Sequence, residues 1–386
     1  MMDHELLAPP LSLYVHLPWC VRKCPYCDFN SHTAGRDAPR ARYLDALLID
    51  MQAEAARADS RPLISVFLGG GTPSLFTADE ISRLLDDISS NFNLADNVEV
   101  TMEVNPGTVE CGDPLGYRQA GVNRLSIGAQ SFQAQSLAAL GRIHTVGDIE
   151  RAVDAAHAAG FTNINLDVMY ALPGQGVSDA IYDLEQAVRL RPAHISWYQL
   201  TLEPNTVFYA RPPADMPDED LSFEIMTQGQ ARLAASGYTQ YEISAYADSG
   251  RRCRHNLNYW EFGDYLAVGA GAHGKLSDGT DIWRYSKPAN PLQYMEAMES
   301  GRSNVGLKAL SGPECVFEFM LNALRLTDGF DEILFTERTG LQGSLLGDRL
   351  AGLREKQLID EIQSGIWRVT GLGQRFLNDL QAEFLP

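Results

Sequence analysis

The strongest constraint on the fold is a regular alternation of strand-like and helix-like segments through the first two-thirds of the chain. The alternation repeats about six times, which is typical of a parallel sheet covered by helices. The predicted strands are Leu11–Leu17, Ile64–Leu68, Val98–Val104, Leu125–Ala129, Asn163–Met169 and His194–Leu200. The predicted helices are Tyr43–Arg57, Ala78–Phe92, Asp148–Ala159, Asp179–Leu190 and Glu219–Ala235.

An open doubly wound sheet and a partial barrel both satisfy this alternation. Chemically unusual residues follow, end or lie within each predicted strand: a cysteine cluster, the run Gly69-Gly70-Gly71-Thr72-Pro73, Glu103, Gln130, Asp167 and Thr201. The carboxyl ends of many strands converge on one place only if the strands curl around an axis. The sequence therefore favours the α/β class, with a partial (β/α)6 TIM-like barrel.

The C-terminal part of the chain has a different pattern. It reads as helices followed by a short β-rich pair and a last helix, which predicts a small α+β, winged-helix-like domain. These segments are Cys315–Leu324, Gln342–Glu355, Leu358–Ile362 and Gly365–Val369. We expect the barrel over residues 1–240, an extension of it over 241–306 and the C-terminal domain over 307–386.

Composition and charge narrow the classes of partner. Hydrophobic residues make up 45% of the chain and charged ones 21%, as in globular proteins. The 31 Lys and Arg against 50 Asp and Glu give a net charge of −19, which argues against nucleic acid, because phosphate binding needs a basic surface. The apolar runs are too short for a transmembrane helix, and Met1–Pro10 lacks the pattern of a secretory signal. We expect a cytoplasmic protein.

Three of the six cysteines lie within eight positions, in the sequence Cys20-Val-Arg-Lys-Cys24-Pro-Tyr-Cys27. Thiolates hold iron–sulfur clusters, and three of them bind three irons of a cubane and leave the fourth iron open to a chelating ligand. Zinc with His16 or His32 as a fourth ligand is the alternative, although structural zinc sites usually combine two pairs of ligands. We predict a 4Fe–4S cluster on Cys20, Cys24 and Cys27. We expect Cys111 and Cys315 to be inert.

Several further motifs accompany the cysteines. They are Tyr14-Val-His-Leu-Pro-Trp-Cys20, the Gly69–Pro73 run, Glu103-Val-Asn-Pro, Gly128-Ala-Gln130-Ser-Phe and Asn165-Leu-Asp167-Val-Met-Tyr-Ala-Leu-Pro. With the C-x3-C-x2-C spacing, they resemble the radical S-adenosylmethionine (SAM) superfamily, and within it the oxygen-independent coproporphyrinogen III oxidase family. The resemblance runs from about Leu11 to the C-terminal domain. It implies a radical SAM barrel that binds a 4Fe–4S cluster and SAM.

The resemblance also implies roles for individual residues. Gly70, Gly71 and Thr72 would hold the methionine part of SAM, and Glu103 and Asp167 would also contact SAM, with Asp167 suited to the ribose. The other implied contacts of SAM are Tyr14, Tyr26, Gln130, Arg142 and the backbone of Thr201. A simple strand-to-helix turn remains the alternative for the glycines, and a core position remains the alternative for Tyr14. Since a buried carboxylate is costly unless paired, we expect partners for Glu103 and Asp167.

Two departures from the oxidase pattern point to another branch of the family. The oxidases carry a further cysteine two positions after the third, where this chain has Phe29, and they have a longer segment before the first strand than the residues preceding Leu11. The motifs His255-Asn-Leu-Asn-Tyr-Trp260 and Val268-Gly-Ala-Gly-Ala-His-Gly274 resemble the heme chaperone branch.

The resemblance to that branch implies heme as cargo. His255 or His273 could ligate its iron, and Tyr259 and Trp260 could pack on the porphyrin. A structural, hydrogen-bonded role is the alternative for His255, and Cys253 is a further ligand candidate.

Two main hypotheses follow. The first is a cluster- and SAM-binding heme chaperone, whose partners are heme and acceptor hemoproteins, including respiratory ones. It would be a monomer or homodimer. Any association with a membrane would be by peripheral docking. The second is an oxygen-independent coproporphyrinogen III oxidase, which the shared scaffold supports and Phe29 opposes. A radical SAM reaction on an unknown substrate is a third.

Overall fold

The computed structural model describes residues 7–35, 38–107, 112–302 and 306–386, so Cys111 lies outside the described residues. The strands are β1 (Leu11–Leu17), β2 (Trp19–Cys20), β3 (His32–Thr33), β4 (Leu63–Gly70), β5 (Leu94–Val104), β6 (Arg124–Gln130), β7 (Ile164–Tyr170), β8 (His194–Gln199), β9 (Thr239–Glu242), β10 (Ala245–Ala247), β11 (Asp264–Val268), β12 (His273–Asp278), β13 (Asp281–Ser286), β14 (Lys308–Ala309), β15 (Phe330–Asp331), β16 (Ile359–Gln363) and β17 (Ile366–Val369). The helices are α1 (Arg40–Ala55), α2 (Ala78–Asn91), α3 (Pro114–Ala120), α4 (Ala134–Ala139), α5 (Val146–Ala158), α6 (Val177–Arg189), α7 (Val207–Ala210), α8 (Glu219–Ala235), α9 (Arg254–Trp260), α10 (Pro291–Glu299), α11 (Gly312–Ala323), α12 (Glu332–Thr339), α13 (Ser344–Glu355), α14 (Gly371–Arg375) and α15 (Leu377–Ala382).

The six predicted strands of the barrel are β1, β4, β5, β6, β7 and β8. They lie side by side in that order, and each neighbouring pair is parallel. Side chains from β4 to β8 line one common cavity, so the strands curl around an axis. The α/β class and the partial barrel are therefore confirmed.

The sheet extends beyond the predicted strands on both sides. Strand β11 lies parallel to β1, with Leu266 opposite Leu13, and β12, β13 and β14 continue from it in antiparallel order. At the other edge, β10 and β9 add antiparallel strands to β8. Residues of the predicted extension, 241–306, thus belong to the same sheet as the barrel. The boundary at residue 240 stays a prediction.

Several helices begin at capping residues and bury one face. In α2 the Thr77 hydroxyl accepts from the Glu80 N–H at 3.2 Å, and the Glu80 carboxylate accepts from the Thr77 N–H at 2.8 Å. Such a cap stabilises a helix by about 1 kcal/mol. Ile81, Leu84 and Ile88 recur at helical spacing and are buried in the barrel's core. Within the described residues, no helix is both long and apolar enough to cross a membrane.

The C-terminal part packs around a second apolar core. Its helices α11, α12 and α13 surround Phe319 and Phe335, whose rings lie 5.1 Å apart, and β15, β17 and β16 form a small antiparallel sheet. Helices followed by a hairpin agree with the predicted winged-helix-like unit. Helix α12 was not predicted from the sequence. Phe262 and Ile282 also enter this core from the preceding region, so the boundary at 306 and 307 stays a prediction.

Candidate functional site

The cysteine loop leaves β1 at the carboxyl end of the barrel. Cys20, Cys24 and Cys27 form no disulfide and line one cavity of about 520 Å³, here named the first cavity. The Cys27 N–H donates to the Cys24 carbonyl at 3.2 Å, which closes a tight turn between these two ligand candidates. Nη1 of Arg142 lies 3.6 Å from Cys24 Sγ, so a cation faces one of the thiols. The three cysteines are thus brought together at the mouth of the barrel.

The histidines near this loop are the candidate fourth ligands of a zinc ion, so their hydrogen bonds decide whether a ring nitrogen is available. His16 Nε2 donates to the Asn30 carbonyl at 2.9 Å, and Nδ1 accepts from the Tyr14 hydroxyl at 3.0 Å. His32 Nε2 donates to Asn30 Oδ1 at 3.1 Å. Because both nitrogens of His16 have partners, that residue has no nitrogen free for a metal. Among the described residues, no three His, Cys, Asp or Glu side chains form a site for a single metal ion.

The glycine run forms a backbone wall of the first cavity. Gly70 has φ +117°, and a Cβ there would lie 2.4 Å from the His16 ring. Glycine is therefore required for both conformation and space. The Gly71 N–H donates to the Leu17 carbonyl at 2.8 Å, which ties the run to the end of β1. Thr72 is buried, and its hydroxyl accepts from Asn105 Nδ2 at 3.0 Å.

The two carboxylates predicted within the strands both line the first cavity, and both have partners as expected. Glu103 Oε2 accepts from the Gly70 N–H at 3.0 Å. Burial, and then the nearby charge of Asp167, raise the pKa of Glu103 to about 7. Asp167 accepts from Ser126 Oγ and Asn165 Nδ2, each at 2.9 Å, while burial raises its pKa.

Gln130 ends β6 in a strained conformation, with φ +60°. Such strain in a residue with a side chain is common at functional sites. Its Oε1 is buried and has no hydrogen-bond partner among the described residues, although the residue lines the first cavity. Arg142 Nη2 donates to Asn105 Oδ1 at 2.8 Å, which holds the guanidinium between that residue and Cys24.

Of the remaining predicted contacts, Tyr26 and Thr201 line the first cavity, and Tyr14 does not. Tyr26 packs near Phe208, and burial raises the pKa of its phenol. Tyr14 instead lines a second cavity of about 810 Å³, where burial and Glu103 raise its pKa. The role of Tyr14 toward SAM stays a prediction.

The second cavity shares a wall with the first. The residues that line both are Asp28, Phe29, Gly70 and Glu103. The rest of the second cavity is lined largely by β11 to β13, α9 and α11, including Tyr259, Trp260, His273 and Arg284. Burial and nearby Arg284 lower the pKa of His273.

Helix α9 carries the His255–Trp260 motif and reaches both cavities. Asn256 lines the first, while Tyr259 and Trp260 line the second. Glu99 of β5 anchors the start of this helix, because its Oε1 accepts from the backbone N–H of Arg254 at 3.0 Å and of His255 at 3.3 Å. The motif is therefore fixed inside the barrel rather than on its surface.

His255 itself is buried, and both of its nitrogens have partners. Nδ1 lies 2.9 Å from Ser65 Oγ, and Nε2 lies 2.8 Å from the Tyr259 hydroxyl. The imidazole lies on Phe67 with ring centres 5.0 Å apart, and burial lowers its pKa to about 3. This arrangement favours the structural alternative. Cys253 is likewise buried, and burial raises its pKa to about 12.

Several residues of the first cavity were not predicted from the sequence. They are Asn105, Arg124, Tyr198 and Asn256. A polar side chain inside an apolar strand is the signal that could have found Arg124. Asn105 lies near Glu103 in the sequence, and Asn256 follows His255 directly, so both neighbour a residue that was predicted.

Comparison with known proteins supports the family. A family model of the radical SAM superfamily matches residues 14–187. The chain is 46% identical over 383 residues to a protein of Haemophilus influenzae named heme chaperone HemW. It is 44% identical over 379 residues to a protein of the same name from Escherichia coli. Each alignment covers 98% of both proteins.

A solved structure shows the same fold. Coproporphyrinogen III oxidase (HemN) from Escherichia coli, described as a radical SAM enzyme, is similar with a TM-score of 0.81. The similarity covers 98% of this chain and 90% of that one, at 24% sequence identity.

The first cavity fits the cofactors that this superfamily implies, a 4Fe–4S cluster and SAM. It combines three cysteine side chains, a backbone edge, two carboxylates and a Gln130 oxygen that has no hydrogen-bond partner among the described residues. Taken with the near full-length relatives, these features show that the chain belongs to the radical SAM superfamily and, within its oxygen-independent coproporphyrinogen III oxidase-like family, to the heme chaperone (HemW) branch.

Proposed function

We propose that the protein is a heme chaperone, which binds heme and transfers it to acceptor hemoproteins. The observation that carries this proposal is the second cavity. Its volume of about 810 Å³ lies within the range of about 300–1,000 Å³ usual for ligand pockets, and Tyr259, Trp260 and Phe29 give it aromatic walls. A porphyrin is a flat aromatic ligand that such side chains contact well. The relatives named heme chaperones support the same function.

The first cavity would hold the 4Fe–4S cluster and SAM. Cys20, Cys24 and Cys27 would each bind one iron, leaving one iron for the amino and carboxylate groups of SAM. When bound and reduced, the cluster would supply the electron for cleavage of SAM. The remaining contacts to SAM are assigned to Gly70, Gly71, Thr72, Glu103, Gln130, Arg142, Asp167 and Thr201, with Tyr14 and Tyr26 as aromatic neighbours.

The residues of α9 would divide two tasks in heme binding. Tyr259 and Trp260 would contact the porphyrin, since both line the second cavity. His255 would hold Tyr259 in place through the 2.8 Å hydrogen bond to its hydroxyl. A direct bond from His255 to heme iron would require one of its two existing hydrogen bonds to break.

Phe29 argues against the oxidase as the function. It stands where the oxidases carry their further cysteine, and it lies in the wall between the two cavities with 58% of its surface exposed. An aromatic ring there offers a contact for a bound porphyrin and no thiol chemistry.

The proposed partners are hemoproteins, including respiratory ones, that the chain meets in the cytoplasm or by peripheral docking at a membrane. The net charge of −19 is unfavourable for binding nucleic acid. The protein would act as a monomer or homodimer.

The test is an anaerobic heme titration of the cluster-loaded protein, monitored by the Soret absorbance. The heme-loaded protein is then mixed with an acceptor apoprotein. We expect saturable binding and transfer of heme to the acceptor. Tyr259→Leu should weaken binding, whereas Tyr182→Leu on the surface of α6 should not. Failure of the wild-type protein to bind heme saturably would contradict the proposal. Anaerobic consumption of coproporphyrinogen III would favour the oxidase instead.

A further inference from the structure

Three histidines lie in or beside the second cavity, and they differ in whether a ring nitrogen is available. His16 and His255 are buried, and both nitrogens of each ring have hydrogen-bond partners. His273 lines the cavity with an exposed side chain, and within the described ranges neither of its nitrogens has a hydrogen-bond partner. Among these three, His273 alone can offer a nitrogen to a ligand without breaking a contact.

The backbone that carries His273 is held closely in place. Gly271 has φ +74°, and a Cβ there would lie 2.3 Å from Asn30 Nδ2. A Cβ on Gly274 would lie 2.1 Å from the Tyr285 ring. Asn30 Nδ2 also donates to the Ala270 carbonyl at 2.8 Å, which joins this turn to the cysteine loop. The position of His273 is therefore fixed relative to the cluster cysteines.

A buried cluster of charged side chains also contacts the turn that carries His273. Lys287 Nζ lies 2.5 Å from Asp50 Oδ1 and 2.8 Å from Glu54 Oε1, and all three side chains are buried. Asp50 Oδ2 accepts from the Gly269 N–H at 3.2 Å and from the Tyr294 hydroxyl at 2.8 Å. Loss of one partner in such a cluster is strongly destabilising, so these contacts hold the turn in its place.

The cavity offers the other groups that heme requires. Aromatic rings of Tyr259 and Trp260 lie in its wall, and Arg284 lines it as a cation. Arg284 Nε lies 3.4 Å from Glu318 and Nη1 donates to the Tyr265 hydroxyl, which leaves the N–H groups of Nη2 to donate to a carboxylate. A neutral imidazole is the usual protein ligand of heme iron.

We propose that His273 is the axial ligand of heme bound in the second cavity, with Arg284 facing the heme propionates. This inference rests on the proposed function, and it assigns to His273 the iron bond for which the sequence offers His255, His273 and Cys253.

The test compares heme with iron-free protoporphyrin IX as ligands of the anaerobic, cluster-loaded protein. Both ligands contact the cavity walls, but only heme can bind an imidazole through iron. For the wild type we expect tighter binding of heme than of protoporphyrin IX. In His273→Ala the heme affinity should fall by about tenfold or more, because loss even of an outer partner of a metal ligand costs about 10- to 100-fold. Protoporphyrin IX should bind both proteins equally, and added imidazole should restore the Soret band of the variant.

His157→Ala, an exposed histidine on α5, is the matched control and should behave as the wild type. Iron content and the cluster absorbance show that each variant is folded and loaded, and His273→Gln is a second variant of similar size. A His273→Ala protein that keeps the wild-type Soret band and preference for heme would overturn the inference while leaving the proposed function intact. A wild-type protein that binds no heme would contradict both.

Discussion

At the scale of single residues, Glu103 has the most unusual environment in the site. It is half-buried, it lines both cavities, and its partner is a backbone N–H rather than a cation. Burial and the charge of Asp167 both disfavour its ionised form, which raises its pKa from the ordinary 4.5 to about 7. The carboxyl therefore changes charge near neutral pH at the junction of the two cavities.

This shift predicts a pH-dependent stability. Between the unfolded pKa of 4.5 and the folded pKa of about 7, the folded protein binds more protons than the unfolded one. The free energy of unfolding should therefore fall as pH rises through this window and level off above it, by up to about 3 kcal/mol from Glu103 alone. Glu103→Gln should remove this part of the slope. Urea unfolding of the cofactor-free protein at about pH 5 and about pH 8 measures it.

The control for this experiment is Glu355→Gln, an exposed residue near the end of α13. It should keep the wild-type slope. A Glu103→Gln protein with an unchanged slope would show that the Glu103 carboxyl does not titrate in this window.

The site shows how far single residues can be predicted. Cys20, Cys24, Cys27 and most predicted SAM contacts do line one cavity, because ends of parallel strands meet at one edge. Tyr14 lies in the second cavity instead. The direction of a side chain from a strand depends on register, and one residue of register reverses it. Tyr198 was missed for the same reason, whereas Arg124 had a signal in the sequence, a polar side chain inside an apolar strand.

At the scale of elements, α9 is the part of the fold that links the two cavities. It is a short helix, and its start is held by Glu99 from β5 rather than by a residue of its own. A carboxylate at a helix N-terminus is favourable because it satisfies free N–H groups and complements the helix dipole. The position of Tyr259 and Trp260 thus depends on a contact across the barrel.

Removal of that contact should loosen the helix. Glu99→Ala should lower the free energy of unfolding by about 1–3 kcal/mol, since it leaves buried N–H groups unsatisfied. It should also weaken heme binding while iron content stays unchanged, because the cysteines lie on another element. The measurements are denaturant unfolding, heme titration and iron analysis.

Thr77→Ala provides a matched loss of a cap, in a helix that lines neither cavity. It should cost about 1 kcal/mol and leave heme affinity unchanged. Equal losses of heme affinity in the two variants would mean that α9 has no special part in binding.

The elements also differ in how readily the sequence reveals them. The β/α alternation predicted β1 and β4 to β8, because each pairs with a neighbour along the chain. Strand β11 was missed, since its five residues follow the short α9 and pair with β1, more than two hundred residues earlier. Only the three-dimensional fold brings such distant segments together. Helix α12, with eight residues, has too few turns for a clear apolar period.

At the scale of the whole molecule, the two cavities form a single system. Asp28 and Phe29 follow the cysteines, Gly70 ends β4 and Glu103 lies near the end of β5, yet all four line both cavities. Ligands in the two cavities therefore meet a common wall. This arrangement cannot be predicted from the sequence, because the second cavity also needs β12, β13 and α11 from the later part of the chain.

A shared wall predicts coupling between SAM and heme. SAM held by Gly70 and Glu103 would order the wall that heme contacts, so heme should bind more tightly with SAM present, by about fivefold or more. Thermodynamic linkage requires heme to increase the affinity for SAM by the same factor. Heme titrations with and without SAM, and SAM titrations with and without heme, measure both sides.

Phe29→Ala should reduce the coupling, whereas Phe376→Ala, an exposed phenylalanine far along the chain, should not. Cys24→Ala, which should lose the cluster and its open iron, should lose the coupling as well. Equal heme affinities with and without SAM in the cluster-loaded wild type would show that the two cavities act independently.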